Sequence, residues 1–168
     1  MGIKSRKITV SADNRVDGAV SRALPLFLLL ALVLFACAPA PRLYLQYGKD
    51  FTESNLGKIL AENPLRPGEN IRITNLGQAQ DVSHHIVQVR DREVPHIHKN
   101  HDGTVVLMKG RGYLMLENRR LELTVGDTVF IPRGSVHYYV NSASEPGVAF
   151  VVFSPPFDGK DIIPVGKE

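Results

Sequence analysis

From Ile71 onward the chain is a succession of short runs rich in β-branched and aromatic residues, each closed by a turn signal. Candidate strands are Ile71 to Asn75, Val82 to Arg90, Thr104 to Lys109, Tyr113 to Leu116, Leu121 to Val125, Thr128 to Ile131, Val136 to Asn141 and Val148 to Phe153. Between them stand Asp102-Gly103, Gly110 to Gly112, Asn118 to Arg120, Gly126-Asp127, Pro132 to Gly134 and Glu145 to Gly147. A chain that reverses so often satisfies its backbone by pairing neighbouring strands, which predicts an all-β sandwich or barrel. Two runs, VVLM from Val105 and AFVVF from Ala149, are apolar on consecutive residues. Such strands are expected to be covered on both faces.

Within this β-rich region His96, Ile97 and His98 form a His-x-His triplet. Residues two apart on a strand point the same way, so both imidazoles face one side and offer a bite for a divalent metal. Downstream, Gly126 to Asn141 reads GDTVFIPRGSVHYYVN, with Pro132 and Gly134 punctuating a turn just before His137. The spacing G-x5-P-x-G-x2-H-x3-N has every fixed position filled, and it resembles the second motif of the cupin superfamily. The His-x-His triplet resembles part of that superfamily's first motif, with Gly110 as its closing glycine. Arg90 stands where its opening glycine belongs and Gly103 where its glutamate belongs.

The resemblance implies a double-stranded β-helix, or jelly-roll, barrel from 65 to 156. It also implies a metal held by His96, His98 and His137, with His101, or Asp102 in its place, as fourth ligand. His101 is preferred, because Asp102 before Gly103 is also a common turn dipeptide. Imidazoles with open positions suit Fe, Mn, Zn, Ni or Cu, so the donors alone do not name the metal. Tyr139 shares a strand face with His137, and Tyr113, Met108, Met115, Phe150 and Phe153 are candidates to line the barrel, with core packing as the alternative for each. Arg111 is either an anion contact at the barrel mouth or a solvated turn residue. His84 and His85 are expected to be surface or hydrogen-bonded residues.

Ahead of the barrel, five basic residues (Lys4, Arg6, Lys7, Arg15, Arg22) precede the apolar run Ala23 to Ala36. Its 14 residues reach only ~21 Å as a helix, short of the ~30 Å hydrocarbon core. The layout is that of a secretory signal. Leu34-Phe35-Ala36-Cys37 resembles the lipobox of bacterial lipoproteins, which implies that 1–36 is a signal peptide and that Cys37 carries the lipid. Ala38 resembles lipoproteins sent to the outer membrane. Cys37 is the only cysteine, so neither an intrachain disulfide nor a cysteine-based zinc site can form. Residues 37–64 are expected to be a tether followed by a short helix, with Phe51, Leu56, Ile59 and Leu60 at helical spacing, Thr52 or Ser54 as N-cap and Pro64 as stop. Residues 157–168 form a C-terminal arm.

The formal charge of +3 comes from the leader; setting residues 1–36 aside leaves fifteen acidic and fifteen basic residues. No basic patch suited to nucleic acid survives. Two functions are consistent with these features. One is a membrane-anchored, metal-dependent oxygenase, isomerase or lyase acting on a small organic molecule at the bacterial cell envelope, facing the periplasm. The other is a lipoprotein of the same location that binds a small molecule or metal without chemistry. The C-terminal arm is expected to cap the barrel or to dock across a homodimer.

Overall fold

A computed structural model of the chain describes residues 40–166. The apolar run, Cys37 and the start of the tether lie outside the described residues. No helix among the described residues is long and apolar enough to cross a membrane.

The chain first forms a hairpin, β1 (Arg42–Tyr47) and β2 (Asp50–Asn55), and one short helix, α1 (Leu56–Glu62). Ten strands follow: β3 (Ile71–Gln78), β4 (Ser83–Val89), β5 (His96–Ile97), β6 (Asp102–Lys109), β7 (Gly112–Leu116), β8 (Arg119–Leu123), β9 (Thr128–Ile131), β10 (His137–Asn141), β11 (Gly147–Ser154) and β12 (Ile163–Pro164). They make two five-stranded sheets, in the orders β3-β4-β11-β6-β9 and β12-β5-β10-β7-β8. All the strand pairs are antiparallel. The architecture is all-β, as the strand pattern predicts, and is the jelly roll that the resemblance implies.

The apolar inner faces meet in one core that includes Val87, Leu107, Leu114, Ile131, Val151 and Phe153. The opposite face of the first sheet is covered too. Leu43, Leu56 and Ile59 of the hairpin and helix pack on Ile86, which is fully buried, and on Val148. This explains the uninterrupted apolar runs of β6 and β11, whose Met108 and Phe150 pack beneath the hairpin and helix while their alternate residues face the core. Gln88, buried on the covered face, donates from Nε2 to the Asn63 carbonyl at 2.8 Å and so ties the helix end to β4.

The segment before the barrel differs from expectation in one respect. Residues 42–55 pair as a hairpin, so Thr52 and Ser54 lie in β2 and the N-cap is Asn55, whose Oδ1 accepts the Lys58 N–H at 2.9 Å. The hairpin satisfies the backbone of residues 42–55 by its own pairing and docks through Leu43 and the ring of Tyr47. Tyr47 fills the space beside Gly77, where a Cβ would come within 2.3 Å of it, and its hydroxyl meets His84 Nδ1 at 2.8 Å. Gly77 sits at φ +143 in a register shift of β3, so the site takes a residue without a side chain.

Candidate metal centre

Three histidines converge inside the barrel. His96 and His137 are direct cross-strand partners in β5 and β10, and His98 follows β5 by one residue. The ring centroids of His96 and His137 are 4.3 Å apart, those of His96 and His98 5.1 Å, and those of His98 and His137 5.3 Å. One ring nitrogen from each lies within 4.8 Å of the others. The turn ahead of β10 is fixed to the His-x-His segment by its own backbone: the Gly134 N–H donates to the His98 carbonyl at 2.7 Å. Gly134 takes a φ of +79 to do so, a conformation open to glycine at little cost.

In each ring Nδ1 meets a backbone carbonyl: Val94 for His96 at 2.8 Å, Asp161 for His98 at 2.6 Å, and Ser135 for His137 at 2.9 Å. Carbonyls only accept, so Nδ1 carries the proton in all three and Nε2 keeps its lone pair. Burial lowers the pKa of His98, and it brings that of His137 down to about 4, helped by the neighbouring imidazoles and opposed by the Ser135 hydrogen bond. Both rings are therefore neutral at pH 7. Three buried nitrogen donors, each ring held at Nδ1 by a carbonyl, fit a divalent transition metal, and each has the outer partner that orients such ligands.

His101 and Asp102 are not brought into this cluster. His101 is turned toward the C-terminal arm, where its Nδ1 meets Asp161 Oδ2 at 2.6 Å and its Nε2 faces the Pro156 carbonyl at 3.2 Å. Asp102 opens β6 and receives the Arg133 N–H at 2.8 Å and its Nη2 at 2.7 Å. The guanidinium holds its carboxyl pKa down to about 2. Both side chains are engaged elsewhere, and the cluster among the described residues consists of His96, His98 and His137 without either of them.

Residues that the sequence leaves unremarked complete the surroundings. Asp161, buried, accepts from the Lys99 and Asn100 N–H groups with its side chain while its carbonyl holds His98. Burial alone would raise its pKa, but these hydrogen bonds and His101 bring it below the usual value. Phe153 and Phe157 stack at 4.6 Å and stand edge-on to His98 at 5.0 and 5.4 Å. His85 is buried behind them, with Nε2 at 2.8 Å from Ser83 Oγ. Glu93 accepts the Tyr139 N–H at 2.8 Å, and its burial raises its pKa.

A cavity of about 350 Å³ opens onto the three imidazoles. Tyr139 and Phe153 line it; Tyr113, Met108, Met115 and Phe150 do not. In β7 the buried residues are Gly112 and Leu114, so the alternate positions Tyr113 and Met115 point outward. Tyr113 stacks under the Arg120 guanidinium at 3.7 Å. Met108 and Phe150 pack beneath the hairpin and helix instead. Tyr139 reaches across to the turns: a Cβ on Gly112 or Gly147 would stand 2.6 or 2.8 Å from its hydroxyl. Arg111 is exposed at its turn, away from the cavity lining.

The family described as "Cupin domain" matches residues 83–153. An uncharacterized protein of Aquifex aeolicus is 42% identical over 97 residues, which cover 58% of this chain and 79% of that protein. Among solved structures, TT1209 from Thermus thermophilus matches with a TM-score of 0.53 and 19% identity, over 62% of this chain and 97% of that one. A Klebsiella pneumoniae protein with a double-stranded β-helix domain matches at 0.52 and 20% identity, over 63% of this chain and 94% of that one. The last two resemblances concern the fold.

Proposed function

Since the chain belongs to the cupin superfamily, we propose that its barrel holds a divalent transition metal on the Nε2 atoms of His96, His98 and His137 and binds a small organic molecule beside it. The observation that carries this reading is the set of three Nδ1 atoms, each on a backbone carbonyl, in rings that bring one nitrogen apiece within 4.8 Å of one another. A metal so held supplies Lewis acidity, or redox chemistry if it is iron, copper or manganese.

The chain's own residues prepare that site in definite ways. Phe153 and Phe157 keep water from the His98 ring, and the Asp161 carbonyl fixes its proton on Nδ1. Glu93, raised in pKa by its burial, is the carboxyl group of the cavity wall suited to hold or pass a proton. Activity as an oxygenase, isomerase or lyase is the reading preferred over simple capture, because Glu93 places a carboxyl group in the wall of the same cavity as the three imidazoles.

The test is metal content by mass spectrometry of the purified chain, its His96→Ala form and its His137→Ala form. Near-stoichiometric metal in the native chain and loss in both variants is the expected result; equal content in all three would end the proposal. We further propose a cell-envelope location facing the periplasm, through lipid on Cys37, supported by the apolar run and the residues flanking that cysteine. Replacing Cys37 with Ala should shift the protein from the membrane fraction to the soluble one, and an unchanged partition would remove the anchor.

A further inference from the structure

Five of the 22 cavity-lining residues, Glu93, His96, His98, His137 and Tyr139, carry a polar side-chain atom. Most of that polarity is already committed. The three Nδ1 atoms are spent on carbonyls, and Glu93 Oε2 on the Tyr139 N–H. The Tyr139 hydroxyl is buried with no hydrogen-bond partner, wedged against Gly112 and Gly147. What stays open to a ligand is the convergence point of the three Nε2 atoms and the second oxygen of Glu93. All the rest of the wall is aliphatic, aromatic or glycine.

The aliphatic character does not stop at the interior. Ile73, Val94 and Ile162 each line the cavity and are 40, 62 and 41% exposed, so they form its mouth. They come from three separate segments: β3, the approach to β5, and the C-terminal arm. Large aliphatic side chains gathered at one opening mark a surface that meets something apolar. A sugar or nucleotide would bring many hydroxyl or phosphate groups into a space that can satisfy few of them, and each one left unpaired would weaken binding.

We infer that the natural ligand is lipophilic: a small molecule with one oxygen-bearing head directed at the three imidazoles and a hydrocarbon body filling the cavity and crossing its aliphatic mouth. The assignment of the head rests on the metal reading above; the assignment of the body rests on the walls and mouth alone. A cavity of about 350 Å³ lies in the range of small-ligand sites.

The test is calorimetric titration of the full chain, loaded with Ni(II) and held in lipid nanodiscs, with empty nanodiscs as reference. The probes are straight-chain hydroxamic acids from the two-carbon to the eight-carbon member, and a polyhydroxylated six-carbon hydroxamic acid. Each added methylene should tighten binding roughly fourfold until the cavity is filled, and the polyhydroxylated probe should bind no better than the two-carbon one. An affinity independent of chain length, or a preference for the polyhydroxylated probe, would overturn the inference.

Ile73→Lys and Val94→Lys alter exposed positions, so folding is spared. Each should weaken the longer probes at least tenfold and leave the two-carbon probe unchanged; equal binding of the longer probes by native and variant chains would remove the mouth from the inference. Straight-chain alcohols, which lack a chelating head, separate this idea from the metal reading. If the metal reading fails, alcohols and hydroxamic acids of equal length bind alike while the chain-length dependence persists, which supports the lipophilic body. If the ligand class is wrong, hydroxamic acids keep their advantage and the dependence on length disappears.

Discussion

At the scale of single residues, the site owes its chemistry to which atoms are already occupied. The Tyr139 hydroxyl is buried without a partner, and an unpaired buried hydroxyl is a cost that its removal relieves. Tyr139→Phe should therefore leave stability unchanged or raise it by up to about 1 kcal/mol, read from urea unfolding; a loss larger than that would mean the hydroxyl has a partner. Gly147→Ala should act in the opposite direction, since its Cβ would sit 2.8 Å from the same oxygen. A destabilisation of about 1–3 kcal/mol is expected, and the double variant with Tyr139→Phe should recover part of it. The sequence makes His96, His98 and His137 legible because a fixed spacing of turn residues accompanies them. It leaves Asp161 illegible for a physical reason: what holds His98 is a backbone carbonyl, a group that every residue possesses and no side-chain pattern advertises.

Among the elements, the C-terminal arm does more than its length suggests. Asp161 gathers Lys99, Asn100 and His101, β12 pairs with β5, and Ile162 and Pro164 finish the cavity wall. Removing residues 160–168 keeps Phe157, which belongs to the barrel core, so the barrel should still fold. Metal affinity should fall by roughly 10–100-fold, the effect expected when a ligand loses its outer hydrogen bond, measured by competition with a chelator. Unchanged affinity would show that His98 does not need the arm. Eight strands were open to prediction from turn spacing and β-branched runs. The hairpin was not, because Phe51, Leu56, Ile59 and Leu60 also fit helical spacing. Tyr113 and Met108 illustrate a further limit: where both faces of a strand are partly buried, alternation does not reveal which face is the inside.

For the molecule as a whole, burying histidines in neutral form ties stability to pH. His98 and His137 have folded pKa values below the unfolded value near 6.5, with His137 at about 4. Between those limits the unfolded chain binds protons that the folded chain refuses, so this contribution is full above about pH 6.5 and is lost as pH falls toward 4. For His137 alone the loss is on the order of 3 kcal/mol. The urea midpoint of the metal-stripped protein should fall steadily from pH 7 to pH 5, and the slope should flatten in His137→Ala. Equal pH slopes in the native chain and in His137→Ala would contradict neutral burial of that ring. Metal binding should weaken over the same interval, because protons compete for the Nε2 lone pairs.

The anchoring of all three imidazoles by main-chain carbonyls has a consequence for how such a barrel can diversify. Where side chains orient the ligands, a change in the walls risks taking the donor set with it. Here the orienting groups survive any substitution that preserves the backbone path, so selection, or an engineer, can exchange Val87, Leu107 or Val151 for other side chains and retune what the chamber admits while the arrangement of the three imidazoles is inherited intact.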